Sequence, residues 1–85
     1  MTDEEIQCLI LKVAYNDSKG VVHLARIVED YGVPGERVVY NARCLKDKRF
    51  VRQKVVGGST PGPLLGDFQI TQEGRREYKS RCEQQ

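Results

Sequence analysis

Apolar residues recur with a helical period through the first half of the chain. Ile6, Leu9, Ile10, Val13 and Ala14 stand at i, i+3, i+4, i+7 and i+8 and share one helical face. Thr2, with Glu5 three residues on, is a capping-box signature, so a helix is predicted from about Asp3 to Tyr15. Cys8, Leu11 and Tyr15 form a second stripe roughly opposite the first. A helix that is apolar on two sides needs cover on both. One side takes the domain core; the other takes a further helix, from this chain or from a partner subunit.

After the polar run Asn16 to Gly20, Val21 and Val22 fit a short extended piece. A second helix is predicted from His23 to Tyr31, with Leu24, Ile27, Val28 and Tyr31 on one face. Gly32 stands where a helix ends in the left-handed conformation. Pro34 opens a third helix running to about Lys48, since its missing N–H is not needed there. Val38, Ala42 and Leu45 are its inward stripe, and Glu36, Tyr40, Arg43 and Asp47 lie opposite. Arg37 and Cys44 flank that outer face on one side, Val39 and Lys46 on the other, and Asn41 sits near the edge of the inward stripe.

The period then changes to two. Phe50 to Val56 alternates as a strand, Gly57 to Pro63 is turn-rich, and a second strand fits Leu65 to Ile70, with Phe68 and Ile70 on one face. The two strands are expected to pair as a hairpin. Thr71 caps a last helix, roughly Gln72 to Arg81, with Tyr78 as its main apolar contact.

The 85 residues are expected to form one domain, residues 1–85. The net charge of +2 says little, but its distribution says more. Residues 1–36 carry seven carboxylates against three cations, residues 37–54 seven cations against Asp47 alone, and residues 55–85 balance. A cationic stretch of this kind is the electrostatic footprint of a polyanion binder. Three cysteines, Cys8, Cys44 and Cys82, without a CxxC spacing, read as reduced thiols in a cytoplasmic protein. The acidic start, Asp3-Glu4-Glu5, reads against a secretory leader, and no apolar run approaches a membrane span of about 20 residues. A single histidine, His23, leaves no metal set and no nucleophile–base pair, and no phosphate-loop pattern occurs. No enzyme, cofactor or metal is therefore expected.

Ile27-Val28-Glu29-Asp30-Tyr31-Gly32-Val33, followed by Val38, Leu45 and Phe50-Val51, resembles the winged helix-turn-helix pattern of bacterial and archaeal transcription regulators. Phe68-Gln69-Ile70-Thr71-Gln72-Glu73-Gly74-Arg75 is similar to the segment that closes the wing in that superfamily, where a strand ends in Ile-Thr and a helix with an early glycine follows. The resemblance implies an α+β fold: a three-helix core, a β-hairpin wing and a C-terminal helix. It also implies duplex DNA binding with the helix from Pro34 to Lys48 in the major groove. The candidate contacts are Arg37, Tyr40, Asn41, Arg43 and Lys46 on that helix and Arg52 and Lys54 on the strand. Three positions depart from the pattern: Val28 replaces a small alanine, Arg49 replaces a glycine between helix and strand, and Val55 to Asp67 carries no cation. A homodimer through Cys8, Leu11, Tyr15 and the C-terminal helix is expected. The alternative function is a protein-docking module that uses Leu64 and Leu65 in the wing, with structured RNA as a weaker third option. Oxidation of Cys44 would alter the outer face of the third helix.

Overall fold

The computed structural model describes residues 1–54 and 66–83. These form four helices and a three-stranded antiparallel sheet. In chain order they are α1 (Asp3–Asn16), β1 (Val21–His23), α2 (Leu24–Tyr31), α3 (Gly35–Asp47), β2 (Val51–Gln53), β3 (Asp67–Ile70) and α4 (Gln72–Glu77), which continues into wider π-type turns over Tyr78–Cys82. The expected wing tip, including Leu64 and Leu65, and the end of the first predicted strand at Val55 and Val56 lie outside the described residues.

The local signals act where the residue types place them. The Thr2 hydroxyl accepts from the Glu5 N–H at 3.2 Å, and the Glu5 carboxylate accepts from the Thr2 N–H at 2.8 Å, closing the capping box of α1. Gly32 ends α2 at φ 66°. At the end of α3 it is Arg49 that turns left-handed, at φ 65°. The Arg49 N–H reaches the Lys46 carbonyl and the Phe50 N–H the Leu45 carbonyl, both at 2.9 Å. These are the two bonds that satisfy orphan carbonyls in a Schellman ending. An L side chain in this region carries strain of the order of 1 kcal/mol that a glycine would not.

β3 is the central strand, in the order β1-β3-β2. Arg52 pairs with Gln69 and Gln69 with Val21 across the three strands. One face of the sheet presents Val22, Val51, Phe68 and Ile70 to the core, where Ile6, Ile10, Leu24, Ile27, Val38, Ala42 and Leu45 from the helices are fully buried. Arg52, Gln69 and Lys54 fall on the opposite face by strand alternation.

The cysteine expectation is overturned. Cys8 and Cys82 form a disulfide, with Cα atoms 5.5 Å apart, and Cys44 alone is free. A separation of 74 residues gives no local signal, whereas packing of the C-terminal turns along α1 brings the two sulfurs together. The cytoplasmic expectation rested partly on reduced thiols and loses that ground. The same packing covers the second stripe of α1. Leu11 is buried, and the rings of Tyr15 and Tyr78 stack with centroids 4.7 Å apart. The cover comes from this chain's own C-terminal turns, which pack over the Cys8, Leu11 and Tyr15 stripe. No described helix is long and apolar enough to cross a membrane.

Candidate nucleic-acid interface

The Schellman ending and the hairpin together set α3 beside the sheet. Between them runs a groove lined by Val39, Arg43, Lys46 and Asp47 of α3 and by Gln53, Gly66 and Phe68 of the sheet. The seven candidate residues divide into three groups around this geometry.

Arg43, Lys46 and Tyr40 face outward from α3. Arg43 and Lys46 are exposed, and Tyr40 keeps 60% of its surface. Among the described residues no carboxylate pairs with Arg43, Lys46, Lys48, Arg49 or Lys54, so their charges are open to an incoming anion. Glu36 and Asp47 are exposed on the same helix, which tempers the net field there. The Cys44 sulfur beside Tyr40 raises the tyrosine pKa above its ordinary value, chiefly by charge repulsion and then by a hydrogen bond. Tyr40 offers a neutral hydroxyl at neutral pH, as a phenol ordinarily does.

Arg37 and Asn41 are engaged within the protein: Arg37 is ion-paired at the surface, and Asn41 is buried rather than exposed at the edge of the stripe. The Arg37 guanidinium binds Asp3 at 2.9 Å and donates to the Met1 carbonyl at 2.7 Å. Asn41 is fully buried. Its amide nitrogen donates to Asp3 at 3.1 Å and to the Arg37 carbonyl at 2.9 Å, and its oxygen accepts from Gln7 at 2.9 Å. These bonds lock the start of α1 to α3. Arg37 and Asn41 both lower the Asp3 pKa, Arg37 foremost, by hydrogen bonding to the charged form. The helical wheel put Asn41 at the edge of the buried stripe; only the position of α1 decides that the edge is closed.

Arg52 and Lys54 lie on the far face of the sheet. Arg52 is exposed and donates twice, at 3.2 and 2.8 Å, to the Gln69 oxygen, a neutral partner that leaves its charge uncompensated. Gln69 was missed in the sequence reading. The only signal for it was its alternation with Phe68 and Ile70. His23 is the exposed residue before α2, and its Nδ1 lies 2.8 Å from Asp67. Among the described residues no group of three His, Cys, Asp or Glu is placed to hold a metal ion.

No protein-family model, curated protein or solved structure matches the chain.

Proposed function

We propose that this chain is a winged helix-turn-helix domain that binds duplex DNA, in the manner of a small transcription regulator, with α3 in the major groove. The element order supports the fold: three helices, a short strand between the first two, an antiparallel β2–β3 pair after the third, and a closing helix. The observation that carries the function is the α3 wall of the groove, where Arg43 and Lys46 outnumber Asp47. Arg43 and Lys46 stand there without a carboxylate partner among the described residues, on a helix whose other side is fully committed to the core.

A helix of 13 residues spans about 20 Å, enough to lie across a groove roughly 12 Å wide. Arg43 is the residue placed for bidentate donation to a guanine edge, a contact worth about 1–3 kcal/mol of discrimination. Lys46, one helical turn on, reaches the phosphates, and each phosphate neutralised adds about 0.9 to the slope of log affinity against log salt. The strain at Arg49 fits a cation kept where glycine would cost less. The protein-docking alternative depended on Leu64 and Leu65, outside the described residues, and no described feature favours it.

The test is a salt-titrated mobility-shift series with a random duplex, the same sequence as RNA serving as competitor. Arg43→Ala and Lys46→Ala should each weaken binding to the random duplex at low salt and flatten the salt slope by about 0.9. Unchanged affinity in both variants at low salt rejects the reading.

A further inference from the structure

The cations assigned to one footprint lie on two faces of the molecule. Arg43 and Lys46 line the groove beside α3, where the β2 contribution is Gln53. Arg52 points the other way, across the outer face of the sheet, onto Gln69. Lys54, two residues on and still paired through its N–H to the Asp67 carbonyl, shares the face of Arg52. The outer face then extends past β3. The Gln69 amide donates to the Lys19 carbonyl at 3.2 Å, which ties the loop before β1 to the same row. A Cβ at Gly20 would meet Arg75 Nη2 at 3.1 Å, Ile70 Cγ2 at 3.2 Å and Gln69 Cγ at 3.9 Å, so the Arg75 guanidinium sits at the edge of the sheet where the outer row ends.

We propose that this outer sheet face, with Arg52, Lys54 and Arg75, is a second binding surface for a nucleic-acid sugar-phosphate backbone, so that one domain engages two duplex segments. The proposal rests on the nucleic-acid reading above, but on different residues. Charge complementarity identifies the occupant. Among the described residues none of the three cations has a carboxylate partner. Two carboxylates border the row and keep their charge: Asp17, which accepts from the N–H groups of Lys19 and Val21, and Asp67, opposite Lys54 and 2.8 Å from His23 Nδ1, so three cations face two anions. Two of the cations are also pre-positioned on neutral groups, Arg52 on the Gln69 oxygen and Arg75 5.5 Å from the centre of the Tyr15 ring. Side chains already ordered in the free protein lose less freedom on binding, and a neutral anchor leaves the full charge for the phosphate. No base-reading geometry is present on this face, because a sheet flank presents neither a protruding helix nor a ribbon. It suits contacts that position a backbone and carry no sequence information.

The test uses the full chain and two pairs of substitutions, Arg43→Ala with Lys46→Ala for the α3 groove and Arg52→Gln with Lys54→Gln for the sheet face. Thermal melts establish that both variants fold. In the groove-defective background, duplex binding at low salt should persist, and adding the sheet-face pair should weaken it at least fivefold and flatten the salt slope by about 1.8, the value for two phosphates. Arg52→Lys should retain most of the affinity. Beads carrying one duplex should recover a second, labelled duplex with the wild-type chain and fail to do so with either pair. Unchanged affinity and slope on adding the sheet-face pair overturns the proposal, as does duplex bridging that survives it, since bridging then comes from two copies of the α3 face. Loss of binding to phosphatidylserine vesicles with no change on DNA also overturns it. If the groove pair changes nothing on DNA while the sheet-face pair weakens binding, the α3 reading fails and the two-segment claim is overturned with it, leaving the sheet face as the one duplex surface.

Discussion

Gly74 is where helix propensity and tertiary packing predict opposite signs. In an exposed helix, Gly→Ala stabilises by about 1 kcal/mol. Gly74 is buried in the first turn of α4, and a Cβ there would fall inside contact of the Phe50 carbonyl oxygen, 2.9 Å from the Phe50 carbonyl carbon and 2.8 Å from Ile70 Cγ1. The carbonyl is backbone and cannot rotate away. It also accepts the Thr71 N–H at 3.0 Å, while the Thr71 hydroxyl donates to the Arg49 carbonyl at 2.6 Å. Relieving the overlap moves α4 off the α3–β2 turn and breaks both bonds, each worth about 1 kcal/mol. Overpacking adds about 1–3 kcal/mol. After the gain in propensity is returned, Gly74→Ala should destabilise by about 2–4 kcal/mol, lowering the melting temperature by on the order of 10–20 °C for a domain of this size. Urea unfolding followed by far-UV circular dichroism measures it. A midpoint equal to or above the wild type would refute the close approach of α4 to Phe50.

Arg49→Gly should raise stability by about 1 kcal/mol, because glycine adopts φ 65° without strain, while weakening duplex binding if that charge meets phosphate; paired denaturation and shift assays read the two effects. Reducing Cys8–Cys82, or replacing both by serine, should cost about 4 kcal/mol from the entropy of closing so long a loop, seen as a lower urea midpoint in dithiothreitol that the double variant does not show further. Asn41→Ala should cost about 1–3 kcal/mol by leaving buried partners unsatisfied, yet leave DNA affinity of the folded fraction unchanged, which a binding isotherm corrected for folded fraction would show. Asp3, Glu5 and Asp17 have pKa values lowered in the folded state, by hydrogen bonds chiefly from Arg37, Thr2 and Val21 respectively. Groups depressed on folding contribute stability above their unfolded values, 3.8 for aspartate and 4.5 for glutamate, and lose it as pH falls through the folded ones. The urea midpoint should therefore hold from neutral pH to about 5 and fall steadily below 4.5; a flat midpoint down to pH 3 contradicts it.

Much of the architecture was legible along the chain because it depends on neighbours in sequence. The capping box at Thr2, the left-handed Gly32, the Thr71 cap and the inward stripe of Val38, Ala42 and Leu45 are all set within one or two turns, where residue type and spacing carry the information. Arg49 was legible too, as a residue standing at a glycine's place, and it does carry a positive φ. The early glycine of the last helix was visible at Gly74, but its reason was not: the Phe50 carbonyl comes from another part of the chain.

What tertiary structure alone decided concerns pairs far apart in sequence. Period places Arg37, Asn41 and Arg43 on one helix but does not say where α1 begins to cover it; the Asp3 carboxylate takes the first two and leaves the third. The stripe of Cys8, Leu11 and Tyr15 demanded cover, and only the packing chose this chain's own C-terminal turns, joining Cys8 to Cys82. Strand alternation put Arg52 and Lys54 on one face, but which side of the sheet α3 occupies turned that face away from the groove. Local propensity is written residue by residue, whereas burial and charge pairing depend on which surfaces meet, and those meetings span 34 to 74 residues of chain.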